Sequence, residues 1–134
     1  MENYFRGDFI TTGDPILNKE VEILFSIKQI LEAPNTSISV YLPEGIELVH
    51  GDIHWEGNTL KDEVVQITFT VKPIQEGQLV LWSYVESVFS SKHTEHHTYY
   101  LVFLTSKDSG QISRTSFYPP SVESNPKLMT VGLV

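Results

Sequence analysis

Cysteine is absent from this chain of 134 residues. That excludes a disulfide scaffold, a thiolate zinc site and a cysteine nucleophile. Basic residues are scarce: 9 Lys and Arg stand against 17 Asp and Glu, for a formal net charge of -8. Polyphosphate and anionic lipid headgroups both repel such a surface, so neither nucleic acid nor membrane is an expected partner. No run approaches the roughly 20 apolar residues of a membrane span, and Met1 to Ile10 holds no apolar signal-peptide core. Catalytic and phosphate-binding signatures are missing too: there is no G-x-S-x-G elbow, H-E-x-x-H helix, G-x-x-x-x-G-K or G-x-G-x-x-G. The expectation is a soluble, non-enzymatic, single domain, long enough to bury a core without staples and with no obligatory cofactor.

What is present is a beat of two. Val21, Ile23, Phe25 and Ile27 alternate with Glu22, Leu24, Ser26 and Lys28. Val65, Ile67, Phe69 and Val71 alternate with Gln66, Thr68, Thr70 and Lys72. Alternation puts the apolar set on one side of an extended chain, so each run is a half-buried strand. Thr36–Leu42 repeats the pattern with Ile38, Val40 and Leu42 inward. Gln78–Val88 does so with Leu79, Leu81 and Val85 on one face and Val80, Trp82 and Tyr84 on the other.

Turns fall at Gly13-Asp14-Pro15, Pro43-Glu44-Gly45, Glu76-Gly77 and Lys107-Asp108-Ser109-Gly110. Between them lie shorter strands at Tyr4–Thr12, Ile46–His50, His54–Glu56, His97–Thr105 and Gln111–Phe117. Gln29–Ala33 reads as one helical turn broken by Pro34-Asn35. Gly57–Asp62 and Phe89–His96 read as polar connections. About seven to nine short antiparallel strands with regular turns predict an all-β, immunoglobulin-like sandwich. The sandwich is expected over residues 1–118, with 119–134 a C-terminal tail or edge strand. The expected core is Val21, Ile23, Phe25, Ile27, Ile38, Val40, Leu42, Trp55, Val65, Ile67, Phe69, Val71, Leu79, Leu81 and Val85.

One stretch carries a resemblance: Leu42-Pro43-Glu44-Gly45-Ile46-Glu47-Leu48-Val49, then Gly51, Trp55, Gly57 and Leu60, then Val64–Val71 and Gly77-Gln78-Leu79-Val80-Leu81. It resembles the Ig-like modules of bacterial and archaeal surface proteins, of the cell-adhesion-related and conserved-repeat type. The likeness spans Leu42 to Val85, about half the chain. It implies a sandwich used as a spacer, stalk or adhesive unit in an exported or cell-surface prokaryotic assembly. At Asp62 the chain departs from the Gly common in those families.

Three groups of residues are candidates for chemistry. His93, Glu95, His96 and His97 gather three imidazoles and a carboxylate in five residues, a donor set suited to a divalent metal. An extended chain puts His93, Glu95 and His97 on one face; the alternative is a polar loop that happens to be histidine-rich. Trp82 and Tyr84, with His97 and Tyr99 from the next strand, form a candidate aromatic binding face for a sugar ring or a protein. The alternative is ordinary core, and Tyr100, Val102 and Leu104 on the opposite phase are equally apolar. Finally, Glu44, Glu47, Asp52, Glu56, Asp62 and Glu63 lack the spacing of a calcium loop and read as a solvated acidic face. The leading expectation is a non-enzymatic interaction module, contacting a protein partner or a second copy of itself. Metal binding at His93–His97 and carbohydrate binding on the aromatics are the alternatives.

Overall fold

The computed structural model describes residues 4–115. The tail expected at 119–134 therefore lies outside the described residues. Within them the chain forms nine strands and no helix: β1 (Phe5–Thr11), β2 (Val21–Gln29), β3 (Ala33–Tyr41), β4 (Ile46–Gly51), β5 (His54–Thr59), β6 (Val64–Pro73), β7 (Gly77–Ser90), β8 (His93–Thr105) and β9 (Gly110–Thr115). One sheet has the order β1-β2-β6-β4 and the other β5-β3-β7-β8-β9. All pairings are antiparallel. In immunoglobulin terms β1, β2, β6 and β4 take the A, B, E and D places, and β3, β7 and β8 take C, F and G. The fold is the expected immunoglobulin-like sandwich, with β5 and β9 added at the two edges of the second sheet.

The two strongest alternating runs of the sequence pair with each other. Val21, Ile23, Phe25 and Ile27 of β2 stand directly opposite Val71, Phe69, Ile67 and Val65 of β6. None of the eight is more than 7% exposed. A slip of one residue would turn all four of either strand into water, so burial fixes the register. From the other layer Ile38, Val40, Leu79, Leu81, Val85, Tyr99, Leu101 and Phe103 close onto them. Phe9, Phe25 and Tyr99 run through this core with ring centroids 4.7 Å and 5.6 Å apart. Leu42 and Trp55 are only partly buried against the core.

Four local expectations are corrected. Gln29–Ala33 makes no helical turn. The Gln29 N–H donates to Glu63 O, its carbonyl accepts from Asp62, and Ile30 N–H donates to Tyr4 O. Those groups are spent on the segments that lead into β1 and β6 and cannot close an i to i−4 bond. Pro34 and Asn35 lie inside β3 at an irregularity of register between Ala33 and Thr36, where a missing N–H is tolerated. Residues 57–59 extend β5, because Thr59 is buried and bonds to Thr36 Oγ1 at 3.0 Å. Phe89–His96 is a hairpin: β7 and β8 stay paired through Glu86↔His96, Ser87↔Glu95 and Val88↔Thr94. Ladder bonds need backbone groups and no apolar side chain, so a polar stretch can pair as well as a greasy one.

Asp62, where the resembling families often carry Gly, has φ 66°. That left-handed conformation explains the Gly preference, and Asp is one of the few other residues that adopt it readily. Asp62→Gly is expected to be neutral or stabilising, and Asp62→Val to cost about 1–2 kcal/mol, read as shifts of the urea midpoint. On the same assay Phe69→Ala should cost about 3–5 kcal/mol. Thr68→Ala, one position along on the solvent face, should cost less than half that; equal losses would contradict the face assignment.

Candidate functional site

The β7–β8 hairpin dominates the second sheet, and its register decides what the outer face carries. Leu79, Leu81 and Val85 point into the core, so Val80, Trp82, Tyr84 and Glu86 point out. Their partners across the ladder are Val102, Tyr100, Thr98 and His96. On the other side Trp82 stands opposite Tyr41 of β3. Tyr41, Trp82 and Tyr100 therefore form one row across three strands. The Tyr41 and Trp82 rings stack with centroids 5.5 Å apart and planes 22° from parallel. Tyr84 stacks on His96 at 5.6 Å and donates its hydroxyl to Glu86 Oε2 at 3.1 Å. Burial, then the Glu86 carboxylate, raises the Tyr84 phenol above its usual pKa, and burial alone raises that of Tyr100. Both phenols stay protonated and able to donate at neutral pH.

Charge divides the two outer faces. The four-stranded sheet presents Arg6, Lys28 and Lys72 among Asp8, Glu22 and Glu47. Among the described residues, the outward positions on the strands of the five-stranded sheet carry Glu56, Glu86, His54 and His96, and no Lys or Arg. Two cavities open here. One of about 220 Å³ is lined by Asn35, Ser37, His54, Glu56, Glu86 and Val88. The other, about 330 Å³, lies where β7, β8 and β9 end, between Gln78, Leu104, Thr105, Ser106, Ser109 and Gln111. Beside the first, Ser39 Oγ meets His54 Nδ1 at 2.9 Å and His54 Nε2 meets Glu56 Oε1 at 3.2 Å. Hydroxyl, imidazole and carboxylate stand in sequence, but the His54 and Glu56 side chains are 54% and 62% exposed. Water screens that pair, and we read it as a surface hydrogen-bond chain.

The sequence-predicted residues divide between two faces. Trp82 and Tyr84 lie on the outer face. Tyr99 is 8% exposed and packs in the core, and His97 lies beside it on the same side at 4.4 Å. The reason is register: His97 stands opposite Val85 and Tyr99 opposite Ser83, both inward positions. Tyr100 and His96 take the outer places instead. The histidine cluster is split in the same way. His93, Glu95 and His97 share the inner side of β8, and His96 points to the other. His93 Nε2 meets Glu95 Oε2 at 2.7 Å, and its ring packs with Phe89 and Tyr4. Among the described residues no three His, Cys, Asp or Glu side chains converge as a metal site would require. Sequence reasoning missed Tyr41 and Tyr100 as partners of Trp82. Residues 99–104 are apolar on both faces, so their alternation carries no phase.

Burial pushes the Tyr99 phenol up to about 12, partly offset by a backbone hydrogen bond from Gly7. Burial, with His96 nearby, pushes His97 below its ordinary 6.5.

No family model and no curated protein matches this sequence. Solved structures similar to it include a CARDB domain from Pyrococcus furiosus in complex with di-metal ions, 20% identical, covering 73% of this chain and 92% of that one, at a TM-score of 0.45. A FixG-related protein from Vibrio parahaemolyticus is 9% identical, covering 84% and 95%, at 0.46. A yeast GAE domain is 15% identical, covering 89% and 95%, at 0.41. Likeness at these levels carries nothing about what this chain binds.

His97 makes stability depend on pH. Its folded-state pKa is depressed, so below 6.5 the unfolded chain takes up the proton more readily. The contribution is intact above that pH and is lost as pH falls through the depressed value. Melting temperatures measured from about pH 7 down to about pH 5 should fall more steeply for the native protein than for His97→Gln. Parallel slopes would remove His97 as a cause.

Proposed function

We propose that this chain is a non-enzymatic interaction module whose recognition surface is the outer face of the five-stranded sheet, centred on Tyr41, Trp82 and Tyr100. The observation that carries the reading is that row of three large aromatics on strands whose outward positions hold no Lys or Arg among the described residues. Tyr and Trp are enriched, and Lys depleted, where proteins bind partners. Tyr41 is 44% exposed, so part of its ring is available for contact. An uncharged centre is also cheap to desolvate.

The sheet edges support docking less well. β4 carries a register irregularity between Leu48 and His50, which breaks the row of backbone groups that an added strand would pair with. The gap between β1 and β9 is bridged by Arg114 Nη1 donating to Phe9 O at 2.9 Å. The partner on this reading is a protein, a second copy included, or a glycan.

The test compares the native chain with Tyr41→Ser/Trp82→Ser. Both should melt cooperatively, the variant losing less stability than Phe69→Ala does. Light scattering, cross-linking and glycan arrays on both should show an association that the double variant lacks. Association of equal strength in the two proteins would move the site elsewhere. Persistent absence of any partner or self-association would leave a passive spacer.

A further inference from the structure

The outer face of the five-stranded sheet departs from in-and-out alternation at one place. Val80 and Val102 stand directly opposite each other there, on the outward phase of β7 and β8. They are 2% and 5% exposed, no more open than Ile67 and Val65 in the core. Gln78, the outward residue before Val80, buries its Nε2 without a partner among the described residues. The other side-chain atoms in that condition, Gln29 Nε2, Ser83 Oγ and Thr105 Oγ1, all belong to inward positions. The opposing sheet seals an inward atom. An outward one needs a cover on the face itself.

The outer side of the four-stranded sheet gives the comparison. Leu24, Ser26, Gln66 and Thr68 hold central outward positions on β2 and β6, and each keeps some exposure. Thr70 does fall to 6%, but it stands at the register irregularity of β4. The ladders on both sides of Val102 are regular around it. Leu104, the next outward residue on β8, is 43% exposed, so the closed area is a narrow strip.

The chain carries a suitable cover close by. Thr115, where β9 ends, stands opposite Tyr100, two residues along from Ser113 opposite Val102. Two strand spacings and two residues separate it from Val80, or about 12 Å, which roughly four extended residues span. Residues 116–134 follow, many more than that crossing needs. They hold one acid, Glu123, and one base, Lys127, so this segment is neutral in a chain of net charge -8. Met129, Val131 and Leu133 alternate with Thr130 and Gly132, and an extended chain turns all three to one side. A second copy of the chain would bring its whole negative charge against Glu56 and Glu86. A tethered neutral segment meets no such repulsion and has a high effective concentration.

We propose that Gln78, Val80 and Val102 form a docking strip for the chain's own residues 116–134, which cross the outer face with apolar side chains on the two valines. Tyr41, on β3, stays clear of the strip. The segment therefore borders the proposed recognition surface and does not replace it. Docking of the segment and binding of a partner can each fail alone.

Methyl NMR of the full chain tests this. Overhauser contacts should join the Val80 and Val102 methyls to protons of residues 116–134. Both valines should be shielded from a soluble nitroxide. Phe117→Ser, or Met129→Ser/Val131→Ser/Leu133→Ser, should lose those contacts and open the valines to the nitroxide, while the Phe25 and Phe69 signals keep their places. Contacts that survive in both variants would overturn the proposal, and so would the absence of any contact from 116–134 in the native chain. Mixed labelled and unlabelled chains separate the remaining case. Contacts between chains would make a second copy the occupant and overturn the assignment to the chain's own segment. Association through Tyr41 and Trp82, scored on the same samples, stands or falls by itself.

Discussion

The pairing of β2 with β6 is the constraint on which the rest of the molecule depends. Four apolar side chains on each strand meet their counterparts directly across the ladder, all of them buried. Each inward residue loses its shelter if the register slips, so the two strands lock together with one face dry. A dry face of that size needs a cover, and β3, β7 and β8 supply it. Phe25 marks the centre: it contacts Phe9 from its own sheet and Tyr99 from the opposing one.

The second layer inherits its orientation from the first. Once Leu79, Leu81 and Val85 are drawn inward, the alternation of β7 obliges Trp82, Tyr84 and Glu86 to face out. Antiparallel pairing then brings Tyr100 and His96 outward and takes His97 and Tyr99 inward. The proposed recognition surface is in this sense the reverse side of the core. Binding residues held on central strands of a paired sheet are positioned more firmly than residues on loops.

Polar groups inside the sandwich follow a stricter rule. Thr36 Oγ1 lies 2.7 Å from Ser87 Oγ and 3.0 Å from Thr59 Oγ1, and Ser87 donates to Gln29 Oε1 at 3.4 Å. This network ties the ends of β2, β3, β5 and β7 together where the apolar core gives out. Ser87 and Thr36 are expected outliers in an apolar pattern, and satisfied hydrogen bonds are what make them tolerable. Satisfaction is incomplete at both ends of the sandwich: among the described residues Gln29 Nε2, Ser83 Oγ, Gln78 Nε2 and Thr105 Oγ1 are buried without a partner.

Alternating patterns in 21–28, 36–42, 64–72 and 78–88 were enough to determine strands, their dry sides and the sandwich, because period-two burial is a local property. Trp82 and Tyr84 were legible as outward for the same reason. Local pattern fails where both phases are apolar, as in 99–104, and where neither is, as in 89–97. Only tertiary structure settled that Tyr100 joins Trp82 and Tyr41, that His96 parts from His93 and His97, and that Gln29 ends a strand instead of starting a helical turn. Which residue stands opposite which is fixed by contacts between segments far apart in the chain, and no stretch of sequence contains that information by itself.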